Sequence, residues 1–292
     1  MNTLKNVFLP AALAALFIAG CDKPETIPSY LKIEPFVVNA QGGAAWQKIT
    51  EGWVYVDGNL LGGFTLPATI PVLEDGEKKV EVFPGVKFNG QDDSPGAYLF
   101  MQRHTQMVNF TPTKTAVVSP STAYDPNSYF VWAEQETTFD GTSSIQLENR
   151  DGDEGSTFLV NTDGGFEGKG IVMKVDTAHT LIEIATEGAQ LDNSGGKNIW
   201  LELHYRTDIP FSFQLIGDNN DTFEEAVAIY LFNPTENNGW NKIYFDLRDY
   251  VVNLKKINYK LYFRVPLPRD VNGQYTTTSG TVNIDNIRLL SF

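Results

Sequence analysis

The chain has 292 residues, 42 % hydrophobic and 20 % charged, with a formal net charge of −14 at pH 7. These are ordinary globular proportions, and the acidic balance excludes a nucleic-acid partner, because phosphate binding needs clustered Lys and Arg. The single cysteine excludes an internal disulfide, and the wealth of aromatic residues (19 Phe, 12 Tyr, 5 Trp) favours strands over helices.

At the start of the chain, Lys5 is followed by an apolar run from Val7 to Ala19 that carries Pro10. That is the layout of a secretory leader, and it falls short of the about 20 apolar residues a membrane-spanning helix needs. Residues 1–20 are therefore expected to be cut away. The sequence Ile18-Ala19-Gly20-Cys21 resembles the lipobox of bacterial lipoproteins, which implies that the Cys21 thiol accepts diacylglycerol and that the bilayer is a partner. Several acyl chains on one cysteine give stable anchoring, at about 0.8 kcal/mol per buried methylene. Residues 21–29 form the lipidated tether. Within it, Cys21-Asp22-Lys23-Pro24-Glu25 resembles the charged export tag of surface-displayed lipoproteins of the Bacteroidota. The resemblance implies an outer-membrane, lipid-anchored protein facing the cell surface; the plainer alternative is a solvated tether that leaves the protein in the periplasm.

Residues 30–120 read as a first β-domain. Tyr30 to Val38 alternates in part and predicts a strand. Trp53–Val56 and Leu60–Phe64 flank Asp57-Gly58, a pair that tolerates the positive φ of a tight hairpin. A second hairpin is expected from Ile70–Leu73 through Glu74-Asp75-Gly76-Glu77 to Lys79–Phe83. The run Gly52 to Gly58, then Gly62, Thr65-Leu66-Pro67-Ala68, Leu73, Gly76 and Val80-Glu81-Val82, resembles the PEGA-type β-sandwich of bacterial envelope proteins, an immunoglobulin-like spacer. Between Phe83 and Thr105, turn residues are dense enough to predict a long irregular loop. Tyr98, Phe100 and Arg103, with Met101 and His104, either dock a partner from that loop or simply open the strand 105–110. A stretch rich in Thr, Pro and Ser closes this domain, with a linker over 121–129.

From residue 130 to 292 the pattern is a longer β-domain. Strands are expected at Phe158–Val160, Gly170–Val175, Leu181–Ala185, Ile199–Tyr205, Phe211–Ile216, Ala226–Phe232, Trp240–Leu247, Tyr259–Val265 and Thr281–Leu289. The segments Trp240 to Leu247, Leu261-Tyr262-Phe263-Arg264 and Val282 to Leu289 resemble the jelly roll of carbohydrate-binding and galactose-binding-like domains. The fold class expected is therefore all-β: an N-terminal Ig-like, PEGA-like sandwich followed by a C-terminal β-jelly roll.

Candidate chemistry is sparse. The three histidines lie far apart in sequence and no nucleophile elbow is present, so a non-enzyme is expected. Alternation from Trp200 to Tyr205 puts His204 on the face of Trp200 and Glu202, as a surface strand histidine. The jelly-roll resemblance implies a possible structural calcium held by Asp140, Asp153 and Asp285, against the plain reading of solvated acidic turns; no other cofactor is expected. Trp240, beside Asn237-Asn238-Gly239, is a candidate sugar-stacking platform with Tyr275, but it opens a strand whose resemblance to the jelly roll implies a core residue, and core is the preferred reading. Asp176-Thr177-Ala178 resembles a Bacteroidota O-glycosylation pattern and nominates Thr177. The function expected is a non-enzymatic, protein-binding accessory subunit of an outer-membrane complex, such as one for outer-membrane protein assembly or export. The alternative is a glycan-binding surface lipoprotein of a polysaccharide-utilisation system.

Overall fold

The computed structural model describes residues 26–39, 47–91, 93–131, 145–156 and 158–292. Cys21 and Asp140 lie outside them. Among the described residues no helix is long and apolar enough to cross a membrane.

The first half contains β1 (Ser29–Ile33), β2 (Val37–Val38), β3 (Glu51–Val56), β4 (Asn59–Thr65), β5 (Ala68–Val72), β6 (Gly76–Lys87), β7 (Pro95–Ala97), β8 (His104–Phe110), β9 (Thr115–Val118) and β10 (Ser121–Thr122). A three-stranded sheet, β5-β1-β9, faces a five-stranded one, β4-β3-β6-β7, in which β8 also pairs with β6. The alternating strands turn Leu31, Ile33, Val54, Val56, Val80, Val82, Val108 and Phe110 into one core between the two sheets. The Asp57-Gly58 turn is a hairpin as expected, with φ of 47° and 80° at its two residues.

Three local expectations are corrected here. Residues Ile70 to Phe83 are not a hairpin: β5 pairs with β1 and β6 pairs with β3 and β8, so the Asp75-Gly76 turn carries the chain from one sheet to the other. Nor is the stretch after Phe83 irregular throughout, because β6 runs on to Lys87 and β7 pairs with it. There Gly96 leaves room for the Phe88 ring, which a Cβ at that position would meet at 2.1 Å and force to move. Finally, residues 121–129 are built into the fold. β10 pairs with β2, and Tyr124 bridges to Met101.

The second half contains β11 (Tyr129–Phe130), β12 (Leu147–Asn149), β13 (Phe158–Asn161), β14 (Gly170–Asp176), β15 (Leu181–Thr186), β16 (Ala189–Gln190), β17 (Ile199–Thr207), β18 (Phe211–Asp218), β19 (Glu225–Phe232), β20 (Asn241–Asp246), the short helix α1 (Arg248–Leu254), β21 (Asn258–Pro266) and β22 (Ser279–Ser291). They form two antiparallel sheets. The front sheet runs β13-β14-β22-β17-β20, with β11 beside β22; the back sheet runs β12-β15-β21-β18-β19, with β16 beside β21. Leu201, Leu203, Phe213, Phe245, Phe263 and Ile284 are among the residues that fill the space between them. The molecule is thus all-β, a sandwich followed by a larger sandwich of jelly-roll type.

The two halves share a third core. The front sheet's outer face presents Trp200, Tyr244 and Leu290, and the first domain covers them with Val38, Val86, Tyr98, Phe100 and Met101. Tyr98 packs on Trp200 and Tyr244 at ring centroid distances of 5.1 Å each, and the Phe88 edge meets Trp200 at 4.9 Å. Burying side chains of this size contributes about 1.5–3 kcal/mol each. The domains are therefore joined by a packed joint.

Candidate functional site

One site lies at the front sheet's outer side and a second at the edge formed by β20 and β19, and alternation along β17 decides which residues reach the first. Leu201 and Leu203 point into the sandwich, so Trp200, Glu202, His204 and Arg206 point out.

The first site is sealed. Glu202 is wholly buried under the first domain, which puts a carboxylate where desolvation is severe. Its oxygens are saturated. Tyr98 donates a short hydrogen bond to it, Tyr124 Oη lies 2.9 Å from Oε2 and Lys242 Nζ 2.7 Å from the same oxygen. Arg288 Nη1 and Gln47 Nε2 donate to Tyr124 Oη at 3.0 and 2.7 Å, and the Tyr244 hydroxyl donates to Gln47 Oε1 at 2.9 Å. Burial works to raise the Glu202 carboxyl, but the Lys242 and Arg288 charges outweigh it and hold it below its ordinary range. Burial pulls the Lys242 ammonium down to about 8 against the attraction of Glu202, and it pushes the Tyr98 and Tyr244 hydroxyls well up. A carboxylate so enclosed has no route to a ligand; it fastens one domain to the other.

The second site is open. The chain between β19 and β20 forms a loop pinned at Thr235, whose amide and hydroxyl both bond the Thr207 carbonyl, at 2.9 and 3.2 Å. Asn237 and Asn238 sit there at φ of 51°, a left-handed geometry that asparagine tolerates. The loop delivers Trp240 half-exposed to the rim of the sheet. Its ring is held by the Phe166 edge at 5.7 Å and by the Arg206 guanidinium 5.1 Å from its centroid. Beside it opens a cleft of about 440 Å³, lined by Trp240, Tyr205, Tyr230, Asn233, Glu236 and Asn241, with Lys48 contributed by the first domain. The Asn241 amide is clamped: Oδ1 accepts from Lys48 Nζ at 2.7 Å, while Nδ2 donates to Tyr205 Oη at 2.9 Å. Aromatic faces with amides and a carboxylate at their edges can stack on a sugar ring and bond its hydroxyls.

The residues singled out from sequence are distributed as follows. Tyr98 (1 % exposed) and Phe100 (0 %) are buried in the domain joint, so their rings are not on a docking surface. Arg103 is exposed. It pairs with Glu81 at 3.1 Å and lies over the Phe83 ring at 5.4 Å, beside an apolar cleft of about 560 Å³ that Leu99, Met101 and Phe292 also line. Trp240 belongs to the open cleft and not to the core. Tyr275 stands apart from it, under the Arg269 guanidinium at 4.0 Å in the loop between β21 and β22. His204 is buried and not at the surface, because the 162–169 loop lies over it with Phe166 stacked at 4.2 Å. Thr177 is exposed in the β14–β15 turn, next to Asp176, whose carboxylate bonds the amides of Ala178 and His179.

Of the three residues named for calcium, Asp140 lies outside the described residues and the other two are engaged in separate places. Asp285 is buried and its two oxygens accept backbone N–H groups from Phe166, Glu167 and Asn286, donors whose dipoles would repel a cation. Asp153 lies elsewhere, in the β12–β13 connection, and bonds the His179 ring nitrogen at 2.8 Å and the Gly155 amide at 2.9 Å. Among the described residues no group of three or more His, Cys, Asp or Glu could hold a metal ion.

Sequence reasoning missed Lys48, Tyr205, Tyr230, Asn233 and Asn241. The Asn233-Pro234-Thr235 turn after an aromatic strand end was the available signal for two of them.

No protein-family model matches the chain, and no curated protein sequence matches it either. Among solved structures, one describing carbohydrate-binding modules of the β-sandwich superfamily is similar at 13 % identity, over 82 % of this chain and 84 % of that one, with a TM-score of 0.37. A family 11 carbohydrate-binding module from Clostridium thermocellum, solved with a β-1,3-1,4-mixed-linked tetrasaccharide, aligns at 13 % identity over 56 % of this chain and 94 % of its own, with a TM-score of 0.36. A family 29 carbohydrate-binding module from Piromyces equi aligns at 14 % identity over 56 % and 89 %, with a TM-score of 0.34.

Proposed function

We propose that the protein is a non-enzymatic glycan-binding protein that takes a saccharide in the cleft beside Trp240. The observation that carries this reading is the half-exposed indole itself. Its edge and one side are braced by Phe166 and Arg206, and the adjoining cleft offers Tyr205, Tyr230, Asn233 and Asn241. Glycoside hydrolysis needs two carboxylates across the scissile bond. Glu236 is the one carboxylate among the described residues lining the cleft, and the buried Glu202 is out of reach. The lining of the cleft thus supports binding without cleavage. Titration calorimetry of the wild type and Trp240→Ala against the best ligand from a glycan array tests it. The dissociation constant is expected to rise at least about 30-fold in the variant, as for a hot-spot aromatic. Equal affinity in both proteins would sink the reading.

The site would work from a lipid anchor at Cys21 on the outer membrane, as the Ile18-Ala19-Gly20-Cys21 sequence supports. Labelled palmitate is expected to enter the wild type in cells and not Cys21→Ser.

A second reading, a protein-binding accessory subunit, is favoured by the apolar cleft near Arg103, where Leu99 is 48 % and Phe292 41 % exposed. Charged substitution at both residues would release a co-purifying protein partner under this reading and leave glycan affinity unchanged.

A further inference from the structure

Among the described residues lining the open cleft, Lys48 is the one from the first domain, and its placement is specified twice. Its backbone N–H donates to the Tyr244 hydroxyl at 2.8 Å, which ties residue 48 to the domain joint. Its ammonium reaches across to Asn241 Oδ1 at 2.7 Å, at the cleft wall. The same asparagine gives its Nδ2 hydrogen to the Tyr205 oxygen, so the tyrosine's own hydroxyl hydrogen is what it can offer a ligand. Two of the groups held at the cleft wall through Asn241 are therefore donors, an ammonium and a phenol. An acceptor-only partner complements them, and a carboxylate forms a charge-assisted bond with an ammonium.

We propose that Lys48 makes the cleft a composite of both domains and sets its preference for an acidic sugar, a uronate residue whose carboxylate pairs with the Lys48 ammonium while its ring stacks on Trp240. This rests on the glycan-binding reading above. It makes the first domain part of the binding unit and not only a spacer. Glu236, exposed on the opposing loop segment, is the charge that limits the preference: in a chain of net charge −14 it disfavours an anionic ligand, at a range where added salt screens it.

The test uses the full mature chain with polygalacturonate and hyaluronan, each compared with its carboxyl methyl ester, in 50 mM and 500 mM salt. At least one free acid is expected to bind about tenfold tighter than its ester, with the advantage removed by Lys48→Ala, retained by Lys48→Arg and enlarged by Glu236→Gln. The thermal midpoint of Lys48→Ala, measured alongside, separates lost contact from a loosened joint: affinity lost with an unchanged midpoint supports the contact. Acid and ester bound equally, or an acid preference that survives Lys48→Ala, overturns the proposal while leaving the glycan reading standing. Failure of all four polymers and of a neutral oligosaccharide array to bind overturns both.

Discussion

Trp200 and Trp240 stand at the same face of the same sheet and meet opposite fates. Trp200, near the start of β17, is sealed by Phe88, Tyr98 and Phe100 of the first domain. Trp240, just before β20, lies past that domain's edge; it is braced from within its own domain by Phe166 and Arg206 and remains half-exposed. An indole in a β-sandwich is core or ligand platform according to what stands over it. Here the covering element comes from about a hundred residues earlier in the chain for one tryptophan, and among the described residues none lies over the other. The polar neighbours follow the same division. Glu202, beneath the first domain, is neutralised by Lys242 and three tyrosine-centred hydrogen bonds nearby, whereas Glu236 at the open cleft stays solvated.

The contrast is broken most severely on the sealed side. Lys242→Ala leaves Glu202 buried with Arg288 as the remaining cation that acts on it among the described residues, and removing one partner of a buried ion pair costs about 3–5 kcal/mol. Trp200→Ala empties the third core at a similar cost of about 3–5 kcal/mol. Denaturant unfolding should show both losses, and the first sign is expected to be two transitions where the wild type has one, as the domains uncouple. A single transition at the wild-type midpoint in either variant would refute the joint.

Acid is the next lever. The Glu202 carboxyl is held below its ordinary 4.5 in the folded protein. A depressed carboxylate contributes stability that is complete above the unfolded value and is lost as pH falls through the folded one. The stability difference between wild type and Glu202→Gln is therefore expected to shrink as pH falls below about 4. A difference independent of pH from 7 to 3 would mean that Glu202 is protonated throughout.

Much of the second domain could be read along the chain, because each strand there carries its own evidence. From Phe158–Asn161 to Ser279–Ser291, the runs bounded by turn residues became β13 to β22, apart from the two-residue β16, and alternation correctly put Trp200, Glu202 and His204 on one face. What covers that face was not legible. Tyr98 meets Glu202 across 104 residues, and nothing local to Tyr98-Leu99-Phe100 distinguishes rings that seal a neighbour from rings that dock a partner. The same limit produced the false hairpin at Asp75-Gly76, since a turn signal reports a change of direction and not which sheet the next strand joins. His204 reads as a surface residue until the 162–169 loop is seen fastened over it by Asp285. Of the open site, the sequence nominates Trp240 as a candidate platform, but its place at the start of a strand favours the core reading, and only the fold puts it beside the cleft. Its companions Lys48 and Tyr205 needed the fold to bring them within reach of Asn241.

The smallest expected effect on stability is the most informative about function. Trp240 is half-exposed at the rim, and its loop is pinned independently through Thr235 and Thr207. Trp240→Ala gives up one edge-to-face contact and one exposed cation–π contact, each worth about 0.5–1 kcal/mol. Its loss is therefore expected to be about a third of that for Trp200→Ala or less, with a single unfolding transition retained. A tryptophan that contributes so little to the fold, yet is braced on two sides, is being held for contact with something else. If Trp240→Ala instead destabilises the protein as much as Trp200→Ala, both indoles are structural and the cleft loses its claim as a platform.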